Sequence, residues 1–431
     1  LASLSAEGGR NDVEAVSTIA APPRIGIVLS GWAPAMTLMS GVMRALIEDN
    51  IPIRVISTSG IGGLIGLLSL APRGKAPDQA LRELPNLFVS DLLYRFVPLN
   101  FKVFYKNGPF AQASYEFREH LPKIPVDPAA AKPLVRFFND SMDLLATVLT
   151  PTGLESYRSG LMSQVSMLED LVDFAQLRNH NTRFYLSAFD LTAKTQRIFR
   201  NQDVGADAYR AAQAMFLLFP PEHVDGHLFT TGATHDPTGL QAIWLHERNK
   251  LDMIIALDPM GPAIWRAPKN IHDAFQLMLL NPIVALQVLT FALYANIEFA
   301  SNQLAGSASQ TSAVPTLPKL YRIPFDAPPC DIPPAYYHEM LEWTHDNAVT
   351  LESIGYCAAK TFVRDQRLVN PNDFEMQYRY FHRLERRSRQ FVRMFDQLRL
   401  FAPAFWREHF VRHPEGHWRP RGGTSHASEE A

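Results

Sequence analysis

Residues 55–66 read VISTSGIGGLIG. A β-branched run passes into Thr58-Ser59-Gly60 and then into small and apolar residues that can open a helix. Strand, sharp turn and helix N-terminus in that order can present a nucleophile beside backbone N–H groups, as acyl transfer requires. Three small polar or glycine positions compete for the turn, and their spacing does not favour a serine. Ser57 is expected buried at the strand end. Ser59 would act only if the turn were re-threaded, and it would need a base. Asp225, His235 and Asp236 are the nearest in sequence. His223, His227 and His235, with Glu222 and Asp236, invite a metal reading, because His-x3-His on a helix puts both rings on one face. Pro220-Pro221 and Asp225-Gly226 argue for a loop there, so these histidines, like His413, His417 and His426, read as exposed loop or tail residues. No metal or cofactor is expected.

The elements that must position the turn follow from apolar patterning. RIGIVLS (24–30) and LDMIIAL (251–257) read as buried strands, and 53–57 as a third. Met36 to Asp49 reads as a helix with Met39, Val42 and Leu46 on one side, and Gly62 to about Leu70 as a second. Strand, helix, strand, helix within about fifty residues implies a parallel sheet with right-handed crossovers. Residues 75–180 read as mostly helical. RFYLSAF (183–189) and TQRIFR (195–200) restore strands, a helix covers about 206–217, and HVDGHLFTTG (223–232) reads as a hairpin. KLYRIPF is a short strand ahead of a helix over 334–362.

Of the 431 residues, 47% are apolar and 19% charged, enough for a large core, and a net charge of −2 removes any general electrostatic case for nucleic acid. Cys330 and Cys357 lie in no CxxC or metal pattern and read as reduced thiols of a cytoplasmic protein. Residues 1–23 read as a disordered leader, and 413–431 as a disordered tail. Residues 274–297 carry no charge and are long enough to span a bilayer. Gln276, Asn281, Pro282, Gln287, Thr290 and Asn296 interrupt them, so the expectation is a pair of core or groove-lining helices divided at Asn281-Pro282. From about Asp373 to Leu400, Phe374, Tyr378, Phe381, Leu384, Phe391, Phe395 and Leu398 keep helical spacing. Arg379, Arg383, Arg386, Arg387 and Arg393 lie on another face, a basic surface for anionic lipid or for a protein partner.

Three blocks in order resemble the patatin-like phospholipases, in their bacterial acyl-hydrolase branch. VLSGWAPAMTLMSGVMRALIEDNIPIRVIS is similar to the family's glycine-rich oxyanion loop and following helix, with GVMRAL (41–46) kept. The quoted turn stands where the family has a GTSAG-type elbow. FPPEHVDGHLFTTGATHDP stands where it has an apolar-Pro run, an IDG turn and a DGG motif, and SAFDLTAKTQRIF is similar to its SATD strand pair. The resemblance covers about residues 24–260. It implies a three-layer α/β/α sandwich around a mostly parallel sheet, with a core at 24–265, a helical insertion at 75–180 and a helical extension at 266–412.

The resemblance also shows where this chain departs. The family's serine position falls on Gly60, the first glycine of its elbow on Thr58, and the last is kept as Gly62. The aspartate of DGG falls on Thr231. The oxyanion loop keeps Gly31 but continues Trp32-Ala33-Pro34, where Pro34 has no N–H and Trp32 reads as a plug. The expectation is a catalytically degenerate hydrolase fold, cytoplasmic or peripherally membrane-bound. It would bind lipid or an acyl ligand, or pair with and regulate a partner protein such as an active homologue. The alternatives are a working lipid acyl hydrolase with a displaced Ser59, and a structural subunit of a larger complex.

Overall fold

The runs IGIVL and MIIAL lack polar alternation, as strands covered on both faces must. In the computed structural model they lie side by side and parallel, Ile25 opposite Met253 through Leu29 opposite Leu257. The structure describes residues 23–31, 35–125, 133–152, 160–257, 265–268, 270–307, 317–323, 325, 341–366, 368, 410–412 and 418–420.

The strands are β1 (Ile25–Leu29), β2 (Ile53–Thr58), β3 (Tyr105–Lys106), β4 (Met162–Ser163), β5 (Arg183–Asp190), β6 (Thr195–Arg200), β7 (Glu222–Val224), β8 (His227–Thr231), β9 (Met253–Leu257) and β10 (Lys319–Arg322), followed by a separate pair, β11 (Phe410–Arg412) and β12 (Trp418–Pro420). The first six helices are α1 (Met36–Glu48), α2 (Gly62–Leu70), α3 (Pro77–Glu83), α4 (Asp91–Phe96), α5 (Ala111–Glu119) and α6 (Pro133–Leu149). They are followed by α7 (Met167–Leu171), α8 (Phe174–Arg178), α9 (Ala206–Gln213), α10 (Leu240–His246), α11 (Ile271–Ser307) and α12 (His345–Asp365).

The main sheet runs β10-β9-β1-β2-β5-β8-β7, with β6 also on β5. The four pairings from β10 to β5 are parallel, and β6, β7 and β8 join antiparallel. Period-two alternation splits each strand between two layers. Ile25, Ile27 and Leu29 face a core shared with α1, α2 and α12, while Val28, Val55, Ile254 and Ala256 face one shared with α10 and with Phe291 and Tyr294 of α11. This is the expected α/β/α sandwich.

On the first face α1 crosses α12 at two glycines. A Cβ on Gly41 would stand 1.9 Å from the Glu352 carbonyl oxygen, and one on Gly355 would stand 2.0 Å from that of Leu38. The approach buries Arg44 against Glu352 and over the Tyr356 ring, while Lys360 pairs with Asp49.

Four expectations change. Asn281-Pro282 divides nothing, because α11 continues through Pro282 for 37 residues. Proline removes one helical bond, the one that the Met278 carbonyl would accept. Met278 and Pro282 both lie on the exposed side, where water can take that bond, while Leu280 and Val284 stay buried on the other. The helix expected over 206–217 stops at Gln213, since Ala214 takes ψ 77°, outside helical space, and Leu217 further on takes φ 73°. The described part of the 334–362 helix begins at His345, where the Thr344 side chain caps it by accepting from the Asn347 N–H, and it extends to Asp365. Inside the helical insertion, β3 and β4 form a short antiparallel pair. Among the described residues, Asp273–Ser301 of α11 is the one stretch long and apolar enough to cross a membrane, and 33% of its apolar window is buried.

Candidate functional site

Strand β5 brings the two distant halves of the site together. Its residues Tyr185–Asp190 pair with β6 along one edge. Each strand has two edges, so β2 and β8 share the other, β2 ending with Thr58 opposite Leu186 and β8 with Thr231 opposite Ala188. The turn after β2 and the turn after β8 therefore meet. A Cβ on Gly60 would stand 3.5 Å from the Ala233 Cβ and 3.4 Å from the Gly31 carbonyl oxygen, which are ordinary contacts.

The turn is built by glycine at two positions for two reasons. Gly60 sits at φ +53°, in the left-handed region that side chains rarely enter. Gly62 opens α2 so close to β1 that a Cβ would stand 2.2 Å from the Leu29 carbonyl oxygen. The Ser59 N–H donates to that same oxygen at 3.0 Å, and the Gln213 side chain at the end of α9 donates to the Gly60 carbonyl at 2.5 Å. Gly31, at φ 123°, lies two residues past the end of β1. Trp32, Ala33 and Pro34 lie outside the described residues, as do Arg379, Arg383, Arg386, Arg387, Arg393 and Cys330.

These turns open on a cavity of 170 Å³. Gly31, Gly60, Gln213, Thr231 and Ala233 form its polar end, and Met36, Leu64, Phe104, Leu218, Phe219 and Ile283 are among its apolar walls. Tyr209 also lines it, and burial pushes its phenol well above the ordinary range, so the ring stays neutral. Thr231 is buried, and its hydroxyl accepts from the Ala233 N–H at 3.3 Å, closing the turn. Gly232 is confined by β5, with a would-be Cβ at 2.6 Å from the Ser187 carbonyl.

The rival residues go elsewhere. Ser59 is 1% exposed, does not line the cavity, and its hydroxyl makes no hydrogen bond. Ser57 is buried, as expected, and donates to the Gly239 carbonyl at 2.6 Å. Asp225 (φ 50°) and Gly226 (φ 80°) form the exposed β7–β8 turn. Asp236 accepts from Thr238 Oγ1 at 2.8 Å, from Gly239 N at 2.9 Å and from Gln241 N at 3.1 Å, which fixes the entry to α10. His235 stacks on Phe189 with ring centres 3.6 Å apart, and burial lowers its pKa. His227 Nδ1 lies 2.7 Å from Asp190 Oδ2. Among the described residues no His, Cys, Asp or Glu group is arranged to hold a metal, and Cys357 is buried in α12.

Gln213 was missed by sequence reasoning. Its signal was helical spacing: it lies three and four residues beyond Arg210 and Tyr209, and all three line the cavity.

Known proteins resemble the chain to different depths. The family model described as "Patatin-like phospholipase" matches residues 27–244, about half of the chain, from within β1 through the elbow, β5 and the β8 turn. Among solved structures, VipD from Legionella pneumophila is similar over 84% of this chain and 79% of its own, at 11% identity and a TM-score of 0.31. No curated protein sequence matches. By its family match and its sheet, this chain belongs to the patatin-like phospholipases.

Proposed function

We propose that this patatin-like chain has lost hydrolysis and uses the cleft to hold a lipid acyl chain. The observation that carries the reading is Gly60: the turn still takes a left-handed φ and opens on the cavity, but the position that faces the cavity has no side chain. Acyl transfer at such a turn needs a nucleophile, a base that takes its proton, and N–H donors for the oxyanion. The resemblance puts the base at Thr231, whose hydroxyl is not basic at neutral pH and closes its own turn. It puts the oxyanion donors at Gly31 and the residues after it, where Pro34 has none. Loss of a hydrolase nucleophile alone costs roughly a millionfold in turnover, about 8 kcal/mol of barrier. The cavity walls remain apolar, which suits a hydrocarbon chain, and a hydrocarbon needs no reacting group to be held there. A displaced Ser59 is disfavoured because that residue is buried away from the cavity.

The test measures hydrolysis of a short-chain acyl ester and of a phospholipid, together with binding of a fluorescent fatty acid. Wild type is expected to bind the fatty acid and hydrolyse neither ester. Hydrolysis by wild type that Ser59→Ala abolishes would overturn the reading. Hydrolysis gained by Gly60→Ser with Thr231→Asp would support the assignment of both positions.

A further inference from the structure

Several exposed apolar side chains gather at one place on this molecule. Val148 and Leu149 end α6, Leu161 precedes β4, and Phe216-Leu217 follow α9, all between 47% and 68% exposed. Hydrogen bonds tie these segments into one rim. Lys106 Nζ donates to the Val148 and Thr150 carbonyls at 3.3 and 3.2 Å, and Lys106 is the β3 partner of Met162. The Leu161 and Met162 N–H groups donate to the Leu217 and Leu218 carbonyls at 2.9 and 2.8 Å. Met215 and Leu218, on either side of Phe216-Leu217, line the cleft. Across the cleft Ile283 of α11 forms its wall, with Met278 and Pro282 exposed beside it.

Both flanking helices also carry apolar side chains on their outer side. Helix α6 buries Asp140 and Asp143 against Lys102 and Lys123 and leaves Leu145, Val148 and Leu149 outside. Helix α11 buries Asp273, Gln276 and Gln287 while Met278, Leu289 and Leu293 face out. A water-facing surface would carry polar residues at those outer positions. Leu217 adds an independent sign. It holds φ 73°, a conformation that is strained for leucine and easy for Asn or Gly, yet an exposed leucine stands there.

We propose that this rim is a docking surface for a lipid bilayer, inserting Val148, Leu149, Leu161, Phe216, Leu217 and Met278 among the acyl chains around the cleft mouth. A bilayer fits this surface better than a protein does, because the apolar rim adjoins a cleft with apolar walls and residues 274–297 of the facing helix carry no charge at all. The inference rests on the acyl-binding reading of the cleft and adds how the chain reaches it. Binding comes from buried apolar area, so neutral phosphatidylcholine vesicles suffice and salt does not release the protein.

The experiment floats the full chain with phosphatidylcholine vesicles at low salt and at about 1 M salt, where screening falls to about 3 Å. Wild type is expected to float in both. Leu217→Asn and the double variant Val148→Gln, Leu149→Gln are each expected to weaken partitioning about tenfold or more. Leu217→Asn also relaxes the backbone, so its melting temperature is expected to hold or rise while vesicle binding falls, a divergence that misfolding cannot produce. Failure of wild type to float, or wild-type flotation by both variants, would overturn the proposal. So would variants that dissociate an oligomer while floating unchanged, which would make the rim an interface between copies. Fluorescent fatty acid binding without vesicles reads the cleft separately. If it is absent while flotation responds to Leu217→Asn, the acyl reading of the cleft fails and the docking surface stands.

Discussion

Gly60 and Gly62 lie two residues apart and exclude side chains for different reasons, which makes their substitutions separable. At Gly60 the obstacle is the backbone, since φ +53° costs an ordinary residue about 1–2 kcal/mol while its Cβ would meet only ordinary contacts. At Gly62 the obstacle is the Leu29 carbonyl at 2.2 Å, and β1 would have to move away from α2. Gly60→Ala is therefore expected to lower unfolding free energy by about 1–2 kcal/mol in urea. Gly62→Ala should lower it by about 3 kcal/mol or more, the upper end of overpacking. Equal losses at the two sites would refute this separation. The sequence shows both glycines, because a turn between a β-branched run and a helix is local chemistry. It cannot show that Gln213 holds the Gly60 carbonyl, since that bond joins residues 153 apart and depends on where α9 ends.

The helices α1 and α12 show how far an element depends on partners distant in sequence. The pattern MTLMSGVMRALIE marks α1 as a buried helix, and Gly41 in it reads only as a weak helix former. Its use appears when Gly355, more than 300 residues later, comes to face it, and the two backbones close on each other. That closeness buries Arg44 with Glu352, with Glu48 3.5 Å away as a second carboxylate. Glu352→Ala is expected to cost about 3 kcal/mol, because the guanidinium stays buried with its nearer partner removed. Arg44→Met with Glu352→Leu should recover most of that loss, since the buried pair is replaced by packing. Denaturant melts of the two variants check this, and a double variant no better than the single one would refute it. The strands were legible because parallel strands covered on both faces need unbroken apolar runs. The course of α11 was not, because its continuation through Pro282 depends on which side of the helix faces solvent.

At the scale of the whole molecule, His345 joins the helical insertion to the C-terminal helix. Its N–H donates to the Val89 carbonyl at 2.8 Å, and Arg136 of α6 donates to its Nδ1 at 2.8 Å. A ring that accepts from a guanidinium at Nδ1 is held neutral. Burial, with the Arg136 charge adding to it against the pull of Asp346, lowers its pKa to about 4 from an ordinary 6.5. The sign for stability follows from which state takes the proton. Above pH 6.5 the ring is neutral folded or unfolded, and its contribution is level. Between 6.5 and 4 the unfolded chain takes a proton that the folded chain refuses, so stability falls as pH falls, by up to about 3 kcal/mol. Asp91 acts in the opposite direction, because burial and the neighbouring Asp346 raise its pKa and the fold holds its proton more tightly. The His345 contribution is therefore read as a difference. The stability of wild type minus that of His345→Gln is expected to decline by about 2–3 kcal/mol between pH 7 and pH 4, followed by urea unfolding at each pH. A difference that stays constant over this range would mean that His345 takes a proton in the fold as readily as in the unfolded chain, and that the contact between the insertion and α12 does not depend on a neutral ring.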